Sequence, residues 1–82
     1  QVRLLLRLGE KSTHHSYRAV ILNSEGTQVL SRGGLRASNQ LVIVGIPGRL
    51  LAEDDYEINL TGLSESGDFE RVGDYYFTVL RQ

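Results

Sequence analysis

Residues 51–63 read LAEDDYEINLTGL, and the second half of that stretch decides the fold. Tyr56, Ile58 and Leu60 alternate with Glu57, Asn59 and Thr61, the two-residue period of a strand with one buried face. Before Tyr56, the acids Glu53, Asp54 and Asp55 follow a Leu50-Leu51 pair closely. A leucine-rich turn that leads into a tyrosine at the head of an alternating strand is the pattern of a tyrosine corner. In such a corner the ring joins the core and the hydroxyl bonds to backbone a few residues upstream. We therefore expect Leu51 and Tyr56 to form a structural corner, with the acids facing water.

Two chemical readings compete for the same acids. A calcium loop places oxygen ligands at alternating positions around a glycine that permits a sharp turn. Here the acids are consecutive and the next strand begins at once. Catalytic carboxylates need different environments, so that their pKa values diverge. Adjacent exposed acids share one solvent, so no catalytic or metal residue is assigned to them.

The period-two pattern extends outward from this strand. VRLLLRL (2–8) sets Leu4, Leu6 and Leu8 on one face, and YRAVILN (17–23) does the same with Tyr17, Ala19 and Ile21. TQVLS (27–31) follows a compact SEG turn, RGG breaks the pattern, and LRAS leads to a second break. QLVIVGI (40–46) is β-branched and aliphatic, and Pro47-Gly48 ends it. RLLAEDD holds at most one helical turn. SESGD (64–68) is a turn cluster, and FERVGDYYFTVLRQ (69–82) closes the chain with Tyr75, Phe77 and Val79 in phase. Turn signals spaced by about 8–12 residues predict an all-β, immunoglobulin- or fibronectin-III-like two-sheet sandwich of about seven strands.

Composition bounds the function classes. The chain has 82 residues, 40% of them hydrophobic, and a formal net charge of −1. That is one small domain with a thin core and no strong field for nucleic acid or an anionic membrane. No cysteine is present, which excludes disulfides and thiolate zinc sites. No apolar run exceeds four residues, as in LVIV (41–44), far short of the ~18 residues of a membrane span. Gln rather than Met at position 1 leads us to expect a domain excised from a longer chain.

The remaining motifs read as structure. His14-His15 is expected in a solvated loop, without further metal ligands nearby. Ser16, His14 and Asp54 make a hydrolase triad on paper only, with no nucleophile elbow. SRGGLRAS lacks the lysine and helix of a phosphate loop and reads as a connection between strands. NLT (59–61) matches a glycosylation acceptor but lies on an expected strand. No cofactor is implied.

An apolar excess on faces that should be wet is more informative. If Leu4, Leu6, Leu8, Tyr17, Ala19, Ile21, Val42, Val44 and Ile46 point inward, Leu5, Val20, Leu22, Leu41 and Ile43 point outward. If the first, second and fifth strands share a sheet, these five form one contact face for a protein partner or a second copy. The opposing reading drapes the stems of Arg3, Arg7 and Arg18 over scattered side chains.

Two segments, YRAVILNSEGTQVLSRGGLRA (17–37) and VIVGIPGRLLAEDDYEINLTGLSESGDFERVGDYYFTVLRQ (42–82), carry a family likeness. They resemble the C-terminal immunoglobulin-like sandwich of acidobacterial-type membrane proteins with an N-terminal zinc-finger, anti-sigma-factor-like domain. The shared pattern includes an aliphatic strand ending in proline, a Leu-Leu corner before Asp-Tyr, a Leu-x-Gly strand end and a final Tyr-x-Phe-x-Val strand. The chain departs from it at Ala52-Glu53-Asp54, where the family often has Pro-Pro-Gly, and at Val20 and Leu22, where it tends to be polar. The resemblance implies no catalytic residue. It implies an extracytoplasmic position, with the membrane reached through an anchor segment outside these residues. The resulting expectation is a non-catalytic interaction or sensory module. The alternatives are a carbohydrate-binding or accessory sandwich of a secreted enzyme, with Tyr76 its outward aromatic, or a structural spacer.

Overall fold

Alternation along the chain becomes two antiparallel sheets in the computed structural model, which describes residues 1–9 and 14–80. The strands are β1 (Val2–Arg7), β2 (Ser16–Leu22), β3 (Gln28–Leu35), β4 (Ala37–Ser38), β5 (Leu41–Ile46), β6 (Asp54–Leu63) and β7 (Phe69–Val79). One sheet has the order β1-β5-β4, and the other β3-β2-β6-β7. The fold is thus the expected all-β, two-sheet sandwich. Much of the polar 9–16 segment, and the basic end of the chain at Arg81, lie outside the described residues.

The inward faces are those the period demands. Leu6 and Leu8 from the first strand region, Tyr17, Ala19 and Ile21 from β2, and Val42, Val44 and Ile46 from β5 are all buried. Tyr56, Ile58 and Leu60 complete the core from β6, and Tyr75, Phe77 and Val79 pack against it half-exposed. β6 is the structural centre of its sheet, paired with β2 on one side and β7 on the other. No helix among the described residues is long and apolar enough to cross a membrane.

Two hairpins share one polar device. Asn23 Oδ1 accepts hydrogen bonds from the amides of Glu25 and Thr27 at 3.0 and 2.9 Å, while Gly26 takes φ +80°. In the β6–β7 turn the Ser64 hydroxyl accepts from the Asp68 amide at 3.3 Å, and Gly67 takes φ +91°. A side chain at the turn start thus takes over amides that the ladder leaves unpaired, and glycine supplies the left-handed residue.

One local expectation is corrected. RGG does not end a strand: β3 runs through it, with Tyr17 opposite Leu35 but Ala19 opposite Arg32. A bulge absorbs the extra residue, and Gly34, at φ +66°, permits the bend. The second break is a two-residue hairpin, Asn39-Gln40, between β4 and β5, with φ of 52° and 62°. Those angles suit the right-handed strand twist. The helical turn is a 3-10 turn over Gly48–Leu50.

The corner is formed by the bond that joins turn to strand. The Tyr56 hydroxyl donates to the Ala52 carbonyl at 2.7 Å, and the ring stacks on Phe77 with centroids 5.1 Å apart. Leu51, 2% exposed, fills the space beneath. Tyr56→Phe should lower unfolding free energy by about 1 kcal/mol, because the Ala52 carbonyl loses its donor. Leu51→Ala should cost about 2–4 kcal/mol through the cavity it leaves. Urea denaturation of both variants measures this, and a neutral Tyr56→Phe would remove the corner from the account.

Candidate functional site

The acids of the opening stretch are occupied by hydrogen bonds within the chain. Asp54 Oδ1 accepts from the Asp55 amide at 2.8 Å, and Asp54 Oδ2 from the Ser24 amide at 3.4 Å, which ties β6 to the β2–β3 turn. The hydrogen bond with the Ser24 side chain, and then that with the Asp55 amide, hold the Asp54 carboxyl below the usual carboxylate range. Asp55 Oδ1 accepts from the Thr78 hydroxyl at 2.6 Å, across a register pair of β6 and β7. Glu57 and Asp74 both accept from the Asn59 amide at 2.9 Å. That bond first, and the paired Arg71 guanidinium second, lower the Asp74 carboxyl too. Among the described residues no three His, Cys, Asp or Glu side chains converge on a metal position.

The triad drawn on paper does not assemble. Ser16 lies opposite Leu63, at the far end of β6 from Asp54, and a strand of that length spans about 30 Å. His14 is not the solvated loop residue expected. Its imidazole is largely covered, with Nε2 2.9 Å from Glu70 Oε1, and its ring meets Tyr17 edge-on at 5.5 Å. Gly62 makes room for it, since a Cβ there would lie 2.4 Å from the imidazole Cγ. Nothing near Gly62 in sequence signals this contact. His15 is exposed beside it.

The five-residue apolar face is divided by the topology. β1 and β5 share a sheet, but β2 belongs to the other one. Leu5 and Ile43 stand directly opposite each other, 63% and 51% exposed, with half-buried Leu41 two residues along. Val20 and Leu22 are half-buried on the outer side of the four-stranded sheet, opposite Asn59 and Glu57. Alternation correctly turned all five outward; it carries no information on which sheet a strand joins. Tyr76 is exposed beside a cleft of about 180 Å³ that Asn23, Asp55 and Glu57 also line. Phe69, 56% exposed, is a second outward aromatic.

A larger concavity lies between the β1 and β7 edges. Its volume is about 530 Å³, and Val2, Leu4, Leu51, Phe77, Val79 and Leu80 give it an apolar lining. Compared with known proteins, the chain matches no family model, no curated sequence and no solved structure.

Two outcomes follow from the polar geometry. A carboxyl held low in the folded state stabilises it above the usual carboxylate range, and that contribution vanishes as pH falls through the folded-state value. Melting temperature should therefore fall as pH drops below that range, less steeply in Asp74→Asn, and calcium should leave it unchanged at neutral pH. Gly62→Ala should cost about 1–3 kcal/mol by overpacking against His14, and His14→Ala in the same chain should restore part of it.

Proposed function

We propose that this sandwich is a non-catalytic protein-interaction module that binds through its three-stranded sheet. The supporting observation is the aliphatic pair Leu5–Ile43, exposed on that sheet's outer face, with Val2, 38% exposed, lining the apolar groove on the other side of the same edge strand. Exposed neighbouring aliphatics lower the free energy of a complex that covers them and do nothing for an isolated monomer. The outer face of the four-stranded sheet supports the reading less, because its aliphatic residues Val20 and Leu22 are half-covered and lie among Ser31, Asn59 and Glu57.

The three-plus-four strand division, with a tyrosine corner opening the sixth strand, supports an immunoglobulin- or fibronectin-III-like assignment. We further propose that the module is the extracytoplasmic part of a membrane-anchored, anti-sigma-like regulator. That step rests on the sequence resemblance alone. The carbohydrate-binding alternative rests on Tyr76, 73% exposed next to carboxylates that could accept from sugar hydroxyls.

A photo-crosslinking residue placed at position 5 or 43 should give a discrete protein adduct in cells producing the chain. The same residue at position 22 should give none. No adduct at positions 5 and 43, together with a glycan-induced change in Tyr76 fluorescence, would replace this reading with the carbohydrate one.

A further inference from the structure

The two flanks of the sandwich are closed by different means. On one, the chain itself crosses from β3 to β4 through Arg36, and Arg32 Nε donates to the Gly45 carbonyl of the opposite sheet at 3.4 Å. On the other, β1 and β7 are both edge strands with no chain joining them. The Tyr75 hydroxyl spans that flank, donating to the Arg7 carbonyl at 2.7 Å. The apolar groove lies on the same flank, with Val2 and Leu4 on its β1 wall and Phe77 and Val79 on its β7 wall.

The β1 backbone has a defined free side. The Leu8 amide donates to the Gln40 carbonyl at 2.8 Å, which makes that residue pair a hydrogen-bonded one. Antiparallel pairing alternates, so the even-numbered residues of β1 turn their amides and carbonyls toward β5. Arg3, Leu5 and Arg7 turn theirs away from it. Tyr75 takes the Arg7 carbonyl, in accord with that alternation. The amides and carbonyls of Arg3 and Leu5 are left on the open edge above it.

Charge distinguishes between occupants. None of the three strands in this sheet carries a carboxylate, whereas Arg3 and Arg7 flank Leu5 on its outer face, about 13 Å apart. Arg49 is exposed in the turn that brings Gly48 to the groove. A second copy pairing antiparallel through β1, centred on Leu5, would set Arg3 against Arg7 twice. Like charges directly opposite destabilise a pair.

We propose that this edge takes up a short extended segment of a different polypeptide by strand addition. Its side chains opposite Val2 and Leu4 are apolar and enter the groove, and a carboxylate opposite Arg3 lies on the outer face. Main-chain bonds to Arg3 and Leu5 supply the pairing, and the side-chain alternation supplies the selectivity. The proposal rests on the interaction-module reading and specifies its partner.

The probe is a capped, fluorescent octapeptide of alternating valine and glutamate, titrated into the full chain by anisotropy. Binding should be saturable and weaken with added salt, and the Arg3 and Leu5 amides should become protected from hydrogen exchange. Arg3→Glu should weaken it by about tenfold or more and transfer preference to an octapeptide of alternating valine and lysine. Leu5→Pro, which deletes one outward amide and no bond to β5, should also lose binding. If it fails to fold, a peptide N-methylated on its pairing edge makes the same test. No saturation up to about 1 mM peptide overturns the proposal. So does binding that Arg3→Glu leaves unchanged. A chain that crosslinks through position 5 but ignores the peptide loses strand addition and keeps the interaction reading, whereas failure of both removes the reading itself.

Discussion

The hydrogen bond from Tyr56 to the Ala52 carbonyl fixes the chain where it passes from the three-stranded to the four-stranded sheet. β6 starts there, and it is the strand that both β2 and β7 pair with. Side chains alternate with a period of two, so a one-residue slip would turn Tyr56, Ile58 and Leu60 into water and their polar neighbours into the core. Anchoring one residue at the head of β6 therefore sets three strands at once. A buried hydroxyl without an acceptor would be costly, and this makes the anchor specific to that carbonyl.

A chain this small buries a limited fraction of its surface, so the way its flanks close matters. The β3–β4 flank is closed covalently. The β1–β7 flank depends on Tyr75, whose ring packs against the core before its hydroxyl reaches Arg7. Burial, and then the neighbouring Tyr17, push the Tyr75 phenol upward in pKa, so it stays a neutral donor into the alkaline range. That bond ties the lower end of the flank, and the groove opens on the Val2 side of it.

Much of this was legible in sequence because burial on one face writes a period of two. The inward sets of β1, β2, β5 and β6 could be read residue by residue, as could the Leu51–Tyr56 corner and the SEG and SESGD turns. What could not be read depends on distant partners. Sheet membership is one case, since Val20 and Leu5 alternate alike yet face opposite sides of the sandwich. The packing of His14 is another, because it needs the missing side chain of Gly62. The RGG triplet misled for a local reason: glycine marks a strand's end and a strand's bulge equally well. Asn39-Gln40 lacks the glycine that usually announces a two-residue hairpin.

The net charge of −1 conceals a division that bears on recognition. Among the described residues, carboxylates lie on β6, β7 and the turns, and the strands of the other sheet carry arginine alone as their charged residue. Asp55 and Glu57 already accept from Thr78 and Asn59, so a partner offering donors to them would have to displace existing bonds. Arg3 and Arg7 are in no ion pair with a described residue, and a carboxylate brought to them displaces only water. A surface gains most from groups that are unpaired before contact, because a pair already formed contributes to both the free and the bound state. On that ground the basic, aliphatic sheet is the face on which a partner's charge matters, although the acids are the more numerous group.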